Sequence, residues 1–319
     1  LCLTFTNRAA REMTNRIQKV VGGDFSELMV GNVHRFCSKF LFEQGRIPAD
    51  SAIIDDEEAV SIIADYRNED EEGVTRDFNR YKGYQTIIFF QHFIYQMEHQ
   101  HPWKYYLHPE SFTDDDREAV KHICASQKIE YDEQAVVNIY HHAQEYMDEA
   151  NASGLDGKTA DRIRVLLWKM YYANCYARYK EENHLFDFED LLLYTYDIYR
   201  SDPTCKRYPW IQVDEVQDLN GMQLAIIDLL TAEDNPMVMY LGDEQQAIFS
   251  FMGAKVETLT LLKMRCKGNI HHLQRNHRSP KYLLDVFNDY AEKQLKIDRE
   301  LLPLSDNDTK ATLGDLRII

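Results

Sequence analysis

The stretch that decides the fold is Ile211–Asp218, with the sequence IQVDEVQD. Apolar residues lead into two adjacent carboxylates, Asp214 and Glu215, as expected of a buried parallel strand that ends at the carboxyl edge of an open sheet. If the strand alternation continues, these side chains point to opposite sides, one toward a Mg²⁺ ion and one toward a water molecule. Metal-assisted phosphoanhydride hydrolysis requires that division of roles. For an isolated pair, an acidic turn would be the better interpretation.

The size and composition predict a soluble protein with packed interiors. A chain of 319 residues predicts two domains, or one domain with a large insertion. No apolar run approaches the ~20 residues that a membrane helix needs, so no membrane partner is expected. The 6 cysteines contain no CxxC pair, which disfavours a zinc site and suits a reducing, cytoplasmic location.

The charge distribution leaves room for a nucleic-acid partner. The net charge of −17 argues against one at first. However, residues 1–41 carry six basic and three acidic residues, and residues 263–281 carry six basic and no acidic residues. Such positive surfaces on an acidic protein can bind phosphates, because salt confines each charge to about 10 Å.

The first residues predict a parallel sheet. Leu1–Phe5 resembles the middle of a buried strand, with no initiator Met or signal peptide, so we expect the chain to begin inside a domain. A helix at Ala9–Val20, a strand at Leu28–Val33 and a helix at His34–Phe42 follow. This strand–helix rhythm is typical of parallel strands with crossover helices.

A helical insertion is expected to interrupt this sheet between about residues 43 and 183. The segment is charged, rich in Tyr and His, and poor in β-branched runs. Its predicted helices are Glu57–Tyr66, Tyr84–Gln100, Asp114–Ala125, Asp132–Ala152 and Thr159–Glu182.

The histidines of this insertion raise the question of a metal site. Adjacent histidines, or histidines one residue apart, do not share a helix face, and no acidic or Cys partner is suitably spaced. The sequence therefore favours ordinary surface or core residues at His99, His101, His108, His141 and His142.

The segment Gly154–Thr159 (GLDGKT) ends like a phosphate-binding loop. The complete loop is G-x-x-x-x-G-K-[ST] and follows a strand. Here Ala152 occupies the position of the first Gly, and a helix is predicted before it. We interpret the segment as a polar turn, with Thr159 capping the next helix.

The α/β pattern resumes near residue 185 and continues to the end of the chain. The predicted elements are a helix starting at 186–193, the strand up to Asp214, helix Met222–Leu230, a buried strand Met237–Leu241, helix Lys255–Met264, strand Asn269–Leu273 ending at 276–280, helix Tyr282–Lys293 and strand Leu316–Ile319.

Three strand ends in this region present groups suited to nucleotide hydrolysis. They carry Asp214 and Glu215, then Asp243 and Gln246, and finally Arg278. Carboxylates hold metal and orient water, and a guanidinium stabilises charge on the transferred phosphoryl group. Each signal is weak alone, but their order together is specific.

Over most of its length the chain resembles the superfamily 1 DNA helicases of the UvrD/Rep type. The resemblance is carried by TFTNRAAREM at 4–13 (motif Ia), GNVH at 31–34 (motif Ib), DFEDL at 187–191, VDEVQD at 213–218 (motif II), GDEQQAIFSFMGA at 242–254 (motif III) and LQRNHRS at 273–279 (motif IV). It implies a RecA-like parallel sheet of the P-loop NTPase type, and ATP and Mg²⁺ as cofactors.

The resemblance also implies a role for each matching position. Asp214 would coordinate Mg²⁺, and Glu215 would be the general base for water. Gln246 would contact the γ-phosphate and connect it to the DNA groove. His277 would stack on adenine, and Arg278 would contact the γ-phosphate from a second motor domain.

Single-stranded DNA and single/double-strand junctions are the implied partners. Aromatic faces and polar groups that contact the backbone suit this task without reading sequence. For the aromatic residues, core packing is the alternative. The residues implied to lie along the DNA are Phe5, Thr6, Asn7, His34, Phe188 and Phe251.

Several positions depart from the family pattern. Arg8 replaces the usual Lys, Asn32 and Val33 replace Thr and Phe, Met252 replaces Arg, and His277 replaces Tyr. The Walker A loop and motifs V and VI do not occur among these residues. We therefore expect that this chain does not hydrolyse ATP alone.

The resulting prediction is an ATP-dependent 3′→5′ helicase or translocase acting in DNA repair or recombination. Motor domain 1A comprises 1–42 and 184–268, insertion 1B comprises 43–183, and a second RecA-like domain, 2A, starts in 269–319. One alternative is the motor part of a RecB/AddA-like helicase–nuclease. Another is a non-hydrolysing DNA-binding module, which would have no use for the carboxylates, amide and arginine together.

Overall fold

The computed structural model describes residues 1–20, 28–80, 85–152, 157–243, 246, 256–266 and 268–310. The chain divides into two compact units, Leu1–Leu259 and Thr260–Ile319. Its strands are β1 (Cys2–Leu3), β2 (Val30–Gly31), β3 (Ala52–Ile53), β4 (Leu185–Phe186), β5 (Trp210–Val213), β6 (Met237–Tyr240), β7 (Arg275–Pro280) and β8 (Leu304–Asn307). Its helices are α1 (Asn7–Val20), α2 (Val33–Glu43), α3 (Asp56–Arg67), α4 (Glu71–Arg80), α5 (Gln85–Glu98), α6 (Asp114–Gln127), α7 (Glu133–His141), α8 (Ala143–Ala152), α9 (Lys158–Glu182), α10 (Phe188–Ser201), α11 (Gly221–Leu230), α12 (Val256–Cys266) and α13 (Lys281–Lys293).

A parallel sheet organises the first unit, in the order β2-β1-β5-β6. The α/β class with a parallel sheet and crossover helices is therefore confirmed. The interior strands are buried, with Leu3, Ile211 and Val213 almost inaccessible. The expectation that β6 is buried is wrong, because Met237 and Met239 are 54% and 39% exposed. Strand β6 ends the sheet order, and an edge strand is covered on fewer sides than a central one.

The two ends of the helical insertion lie side by side. Strands β3 and β4 pair in parallel, so the chain leaves and re-enters the α/β part at one place. The helices between them surround α9, whose Leu166, Leu167 and Met170 are fully buried in a hydrophobic core of their own. Two-residue strands are too short to show an alternating pattern, so the sequence does not predict this pairing.

The predicted helices of the insertion agree with the structure except at two places. The single helix expected at Asp132–Ala152 is two helices, because α7 ends at His141 and His142 is its C-cap, whose N–H donates to the carbonyl of Asn138. Helix α4 was not expected. Acidic residues occupy its first turn, and the Asp70 carboxylate accepts a hydrogen bond from the N–H of Gly73, which is a typical helix-start signal.

The second unit contains a small parallel sheet of β7 and β8 with α13 between them in the chain. The strand predicted at Asn269–Leu273 is wrong, since pairing begins at Arg275 instead. Strand β7 consists largely of polar residues without apolar alternation, which is why the pattern missed it. The strand predicted at Leu316–Ile319 lies outside the described residues.

Within the described part of the chain, no helix has both the length and the apolar character needed to cross a bilayer.

Candidate functional site

The two adjacent carboxylates follow directly after β5. The strand ends at Val213, and the N–H of Asp214 donates to the carbonyl of Leu3 on the neighbouring strand (2.8 Å). Glu215 adopts the left-handed region (φ 54°), and its N–H donates to Oδ1 of Asp214 (3.1 Å). The strand alternation on which the opposite placement of the two side chains was conditional therefore does not continue through Glu215. A left-handed residue other than Gly costs about 1–2 kcal/mol, which the surrounding contacts must offset.

The side chain of Gln217 connects this turn to the end of β6. Gln217 is 2% exposed. Its Nε2 donates to Oε2 of Glu215 (2.6 Å), and its Oε1 accepts from the N–H of Asp243 (3.1 Å). One amide therefore joins the predicted general base to the predicted γ-phosphate sensor region. Sequence reasoning assigned Gln217 no role, and its only signal was its place within motif II.

A close approach at Gly242 makes this connection possible. A Cβ atom there would lie 2.7 Å from both Oε1 of Gln217 and Cγ1 of Val216. In addition, the N–H of Val216 donates to the carbonyl of Leu241 (3.0 Å). Only glycine allows the two strand ends to come this close.

The carboxylates are arranged to favour a hard cation. Burial, and then the negative charge of Glu215, raise the pKa of Asp214. The same two causes raise the pKa of Asp218, whose Oδ1 is buried without a hydrogen-bond partner among the described residues. An orphaned carboxylate oxygen among clustered acids fits Mg²⁺, which prefers oxygen ligands. Asp214, together with Asp218, would hold it.

The predicted sensor Gln246 lies next to Asp243. The Gln246 side chain is exposed, and its Nε2 donates to Oδ2 of Asp243 (2.8 Å). The predicted DNA contact Phe251 lies outside the described residues.

The residues predicted to contact DNA come from the turns after β1 and β2 and from the start of α10. Thr6 starts α1 by accepting the N–H of Ala9 on its Oγ1 (3.1 Å). Oδ1 of Asn7 accepts from Nδ2 of Asn32 (3.3 Å), which joins the motif Ia and motif Ib turns. Phe5 is half-buried. The structure therefore places the polar members of the set at one edge of the sheet.

His34 and Phe188 form a second contact within this set. Their rings meet edge to face, with centroids 6.0 Å apart, and Phe188 is 50% exposed. Burial lowers the pKa of His34, although the charge of Glu189 opposes the shift. Burial therefore favours the neutral form of the His34 ring, which lies edge to face with Phe188.

The remaining predicted residues, His277 and Arg278, lie in the second unit, on β7. Both are exposed. The Nδ1 atom of His277 lies 3.4 Å from Oδ2 of Asp306, and the backbone N–H of Arg278 donates to Oδ1 of Asn276 (2.9 Å). Their predicted roles toward adenine and the γ-phosphate stay predictions.

A buried charge network fixes the start of α10, which carries Phe188. Asp187 and Asp190 cap this helix reciprocally. Lys180 of α9 donates to Oδ2 of Asp187 (2.6 Å) and of Asp190 (2.5 Å). Nε2 of His92 on α5 lies 2.9 Å from Oδ1 of Asp187. Two helices of the insertion thus hold the helix that presents a predicted DNA contact.

The same network contains the one cluster in the described residues with metal-ligand geometry. Ligand atoms of His92, Asp187 and Glu189 lie within 4.8 Å of one another. The ammonium of Lys180, however, already neutralises Asp187 at hydrogen-bond distance. A second cation here would be repelled, so the cluster is a structural ion-pair network. Of the histidines singled out in the sequence, His108 reaches this cluster, with Nε2 3.8 Å from Oε1 of Glu189. His101, by contrast, bonds Asp197 (2.7 Å).

We expect the network to make folding stability depend on pH. Burial alone would lower the pKa of His92, but Asp187 and Asp190 raise it to about 9. Because an unfolded His titrates near 6.5, this contribution is fully present below pH ~6.5 and disappears as pH rises through about 9. Its size is on the order of 3 kcal/mol. Urea denaturation between pH 6.5 and 9, compared with His92→Asn, measures it.

The free energy of unfolding of His92→Asn should change less between pH 6.5 and 9 than that of the parent chain. Histidine ring NMR supplies an independent reading, since the His92 signals should not titrate near pH 6.5. Equal pH slopes for both proteins, or a His92 titration near 6.5, would contradict the assignment.

The segment that imitates a phosphate-binding loop begins a helix rather than following a strand. Helix α8 precedes it, and Gly157 (φ +88°) is the N-cap of α9. The predicted cap at Thr159 is wrong, because Thr159 lies inside α9. Residues 154–156 lie outside the described part.

Comparison with known proteins finds a family match over most of the chain. The model of the UvrD/REP helicase N-terminal domain matches residues 1–267. The chain is 22% identical over 301 residues to a probable DNA helicase II homolog of Mycoplasma capricolum, covering 92% of this chain and 34% of that protein. It is 24% identical over 295 residues to the ATP-dependent DNA helicase PcrA of Staphylococcus aureus, covering 91% and 33%. With the ATP-dependent DNA helicase SRS2 of Saccharomyces cerevisiae it shares 24% over 312 residues, covering 94% and 23%. The chain spans at most about a third of these relatives.

Proposed function

The chain belongs to the UvrD/REP helicase family, and on that premise we propose that it is part of an ATP-dependent DNA motor that moves 3′→5′ on single-stranded DNA. In this proposal the chain supplies the catalytic carboxylates and one side of the DNA track. A longer protein supplies a Walker A loop and motifs V and VI, as the partial coverage of the relatives suggests. The motor acts in cytoplasmic DNA repair or recombination, at single-stranded DNA and its junctions with duplex.

The observation that carries the proposal is the Gln217 amide. It bonds the carboxylate of Glu215 on one side and the backbone of Asp243 on the other. A protein that only bound DNA would have no need to hold a potential base against a second strand end. These two hydrogen bonds of Gln217 support coupling between motif II and motif III. A conformational change at Gln246 and Asp243 would then be transmitted to Glu215.

The chemistry assigned to the residues follows from their surroundings. Bound Mg·ATP would supply the phosphoanhydride bond and a cation that withdraws charge from it. Asp214 and Asp218 would hold the cation, and burial, followed by the charge of Glu215, raises the pKa of both acids. Glu215 takes the proton of the attacking water, and Gln217 orients its carboxylate. Gln246, His277 and Arg278 keep their proposed contacts with the γ-phosphate and adenine.

The proposed DNA track uses the carboxyl edge of the sheet. Asn7 and Thr6 contact the sugar–phosphate backbone, and the ring pair of His34 and Phe188 stacks against bases. Phe5 and Phe251 complete the set. The proposed domains are 1A (1–42 and 184–268), 1B (43–183) and the start of 2A (269–319).

A strand-displacement assay on the complete protein tests this proposal. Duplexes with a 3′ or a 5′ single-stranded tail are compared, with ATP and with a non-hydrolysable analogue. We expect ATP-dependent displacement from the 3′-tailed duplex and turnover stimulated by single-stranded DNA. Preference for the 5′ tail would refute the polarity. DNA binding without turnover would favour a non-hydrolysing module, and strand cleavage would favour a helicase–nuclease.

A further inference from the structure

A groove of about 510 Å³ lies between α1 and α2, beside the edge strand β2. Three cations line it, Arg11 from α1 and Arg35 and Lys39 from α2. The uncharged polar residues that line it are Thr14, Asn15 and Gln18. No Asp or Glu is among the described residues that line it. We call this surface the edge groove.

The cations of the edge groove are exposed and only weakly neutralised. Arg11 and Arg35 have no carboxylate within ion-pair distance in the described part of the chain. Lys39 lies 3.6 Å from Glu43, in a pair that is about half exposed on both sides. Exposed pairs of this kind are worth little in water, so Lys39 can exchange its partner for a phosphate.

The backbone of β2 helps to place Arg35. A Cβ atom at Gly31 would lie only 3.3 Å from Cδ of Arg35, so the arginine stem packs directly on the strand. This packing directs the stem along the groove wall. An arginine with a supported stem loses less conformational freedom when it binds an anion.

The edge groove begins where the proposed DNA track ends. The Asn7–Asn32 hydrogen bond joins the first residues of α1 and the cap of α2. Arg11 lies one helical turn after Asn7, and Arg35 follows Asn32 by three residues. Each of the two helices therefore carries a cation about one turn after the Asn7–Asn32 hydrogen bond. From Arg11 to Gln18 the groove follows α1 for about 11 Å.

We infer that the edge groove binds the phosphodiester backbone of the single strand as it leaves the Asn7–Asn32 bridge. The inference rests on the proposed function, because it extends that DNA track down the side of the sheet. Cations and amides without an aromatic platform contact phosphates and carry no sequence information. The edge groove therefore adds affinity and salt dependence, and no base preference.

The test is the salt dependence of oligonucleotide binding by this chain. The groove variant carries Arg11→Gln, Arg35→Gln and Lys39→Gln. For single strands, each phosphate contact contributes about 0.7 to the slope of log K against log salt, so the variant should lose roughly 2 from that slope. A control variant carries Lys121→Gln, Arg164→Gln and Arg178→Gln, which removes the same charge from exposed ion pairs of the insertion. The control should keep the parent slope.

Oligonucleotide length separates the edge groove from general charge effects. Lengthening the strand by about three nucleotides beyond the shortest one that binds should steepen the salt slope of the parent and control, but not of the groove variant. Circular dichroism verifies that all three chains are folded.

Each outcome decides a different point. If the parent chain binds no single-stranded DNA, the proposed DNA track itself fails. If the parent binds and the groove variant keeps its slope, the edge-groove inference alone is overturned. Equal slope losses in both variants also overturn it, since net charge would then explain the effect.

Discussion

Replacing Glu215 with Gln should lower the DNA-stimulated ATP turnover of the complete protein by roughly 10²–10⁴-fold while nucleotide binding survives. The amide keeps the size of the side chain but cannot accept a proton from water. Asp214 and Asp218 remain to hold the cation, so affinity for Mg·ATP changes little. Steady-state turnover with and without single-stranded DNA, together with nucleotide binding by calorimetry, measures both quantities.

A matched variant, Gln217→Leu, separates the base from its support. Leucine removes both hydrogen bonds of the buried amide but leaves the Glu215 carboxylate in place. Turnover should fall less than in Glu215→Gln, and the stimulation by DNA should fall more than basal turnover. A Glu215→Gln protein that retains more than about a tenth of parent turnover would be incompatible with a general base.

Local signals in the sequence were sufficient for the strand–helix order of the sheet β2-β1-β5-β6 and for the carboxylates after β5. The apolar residues before Asp214, and the alternation of short apolar strands with helices around it, are properties of consecutive residues. The conformation of Glu215 is different, because the two residues after it, Val216 and Gln217, bond Leu241 and Asp243 on the neighbouring strand end. For this reason, the side-chain alternation of β5 does not apply to Glu215, although the sequence pattern gave no sign of its end.

The charge network shows the same limit more strongly. The spacing of Asp187 and Asp190 is that of a capping box, which sequence alone can suggest. His92 stands 95 residues from Asp187, and their contact exists only once the insertion has folded against α10. The position of β6 at the edge of the sheet also depends on residues far away in the sequence. The apolar pattern of β6 therefore predicted a burial that an edge strand does not have.

Replacing Lys180 with Met should destabilise the first unit by about 3–5 kcal/mol, the usual cost of removing one partner from a buried ion pair. Lys180 is buried and neutralises both Asp187 and Asp190. Burial alone would lower the pKa of Lys180, yet the two carboxylates raise it, and Lys180 and His92 hold the pKa of Asp187 well below its usual range. Without the ammonium, His92 is the one cationic side chain that stays in contact with the two acids in the described part of the chain. Urea denaturation at pH 7 measures the loss.

Two control variants separate the effect of breaking a buried ion pair from the effect of losing a lysine. Lys121→Met breaks an exposed pair with Glu118 and should cost less than about 1 kcal/mol. Lys169→Met breaks a second buried pair, with Asp116, and should cost as much as Lys180→Met. Of these two buried lysines, Lys180 alone contacts the start of α10, so at equal folded fraction Lys180→Met should weaken binding of single-stranded DNA through Phe188 and Lys169→Met should not. If Lys180→Met lowers stability only as much as Lys121→Met, the buried network is refuted. If Lys180→Met and Lys169→Met bind single-stranded DNA equally well, the network does not support the DNA track.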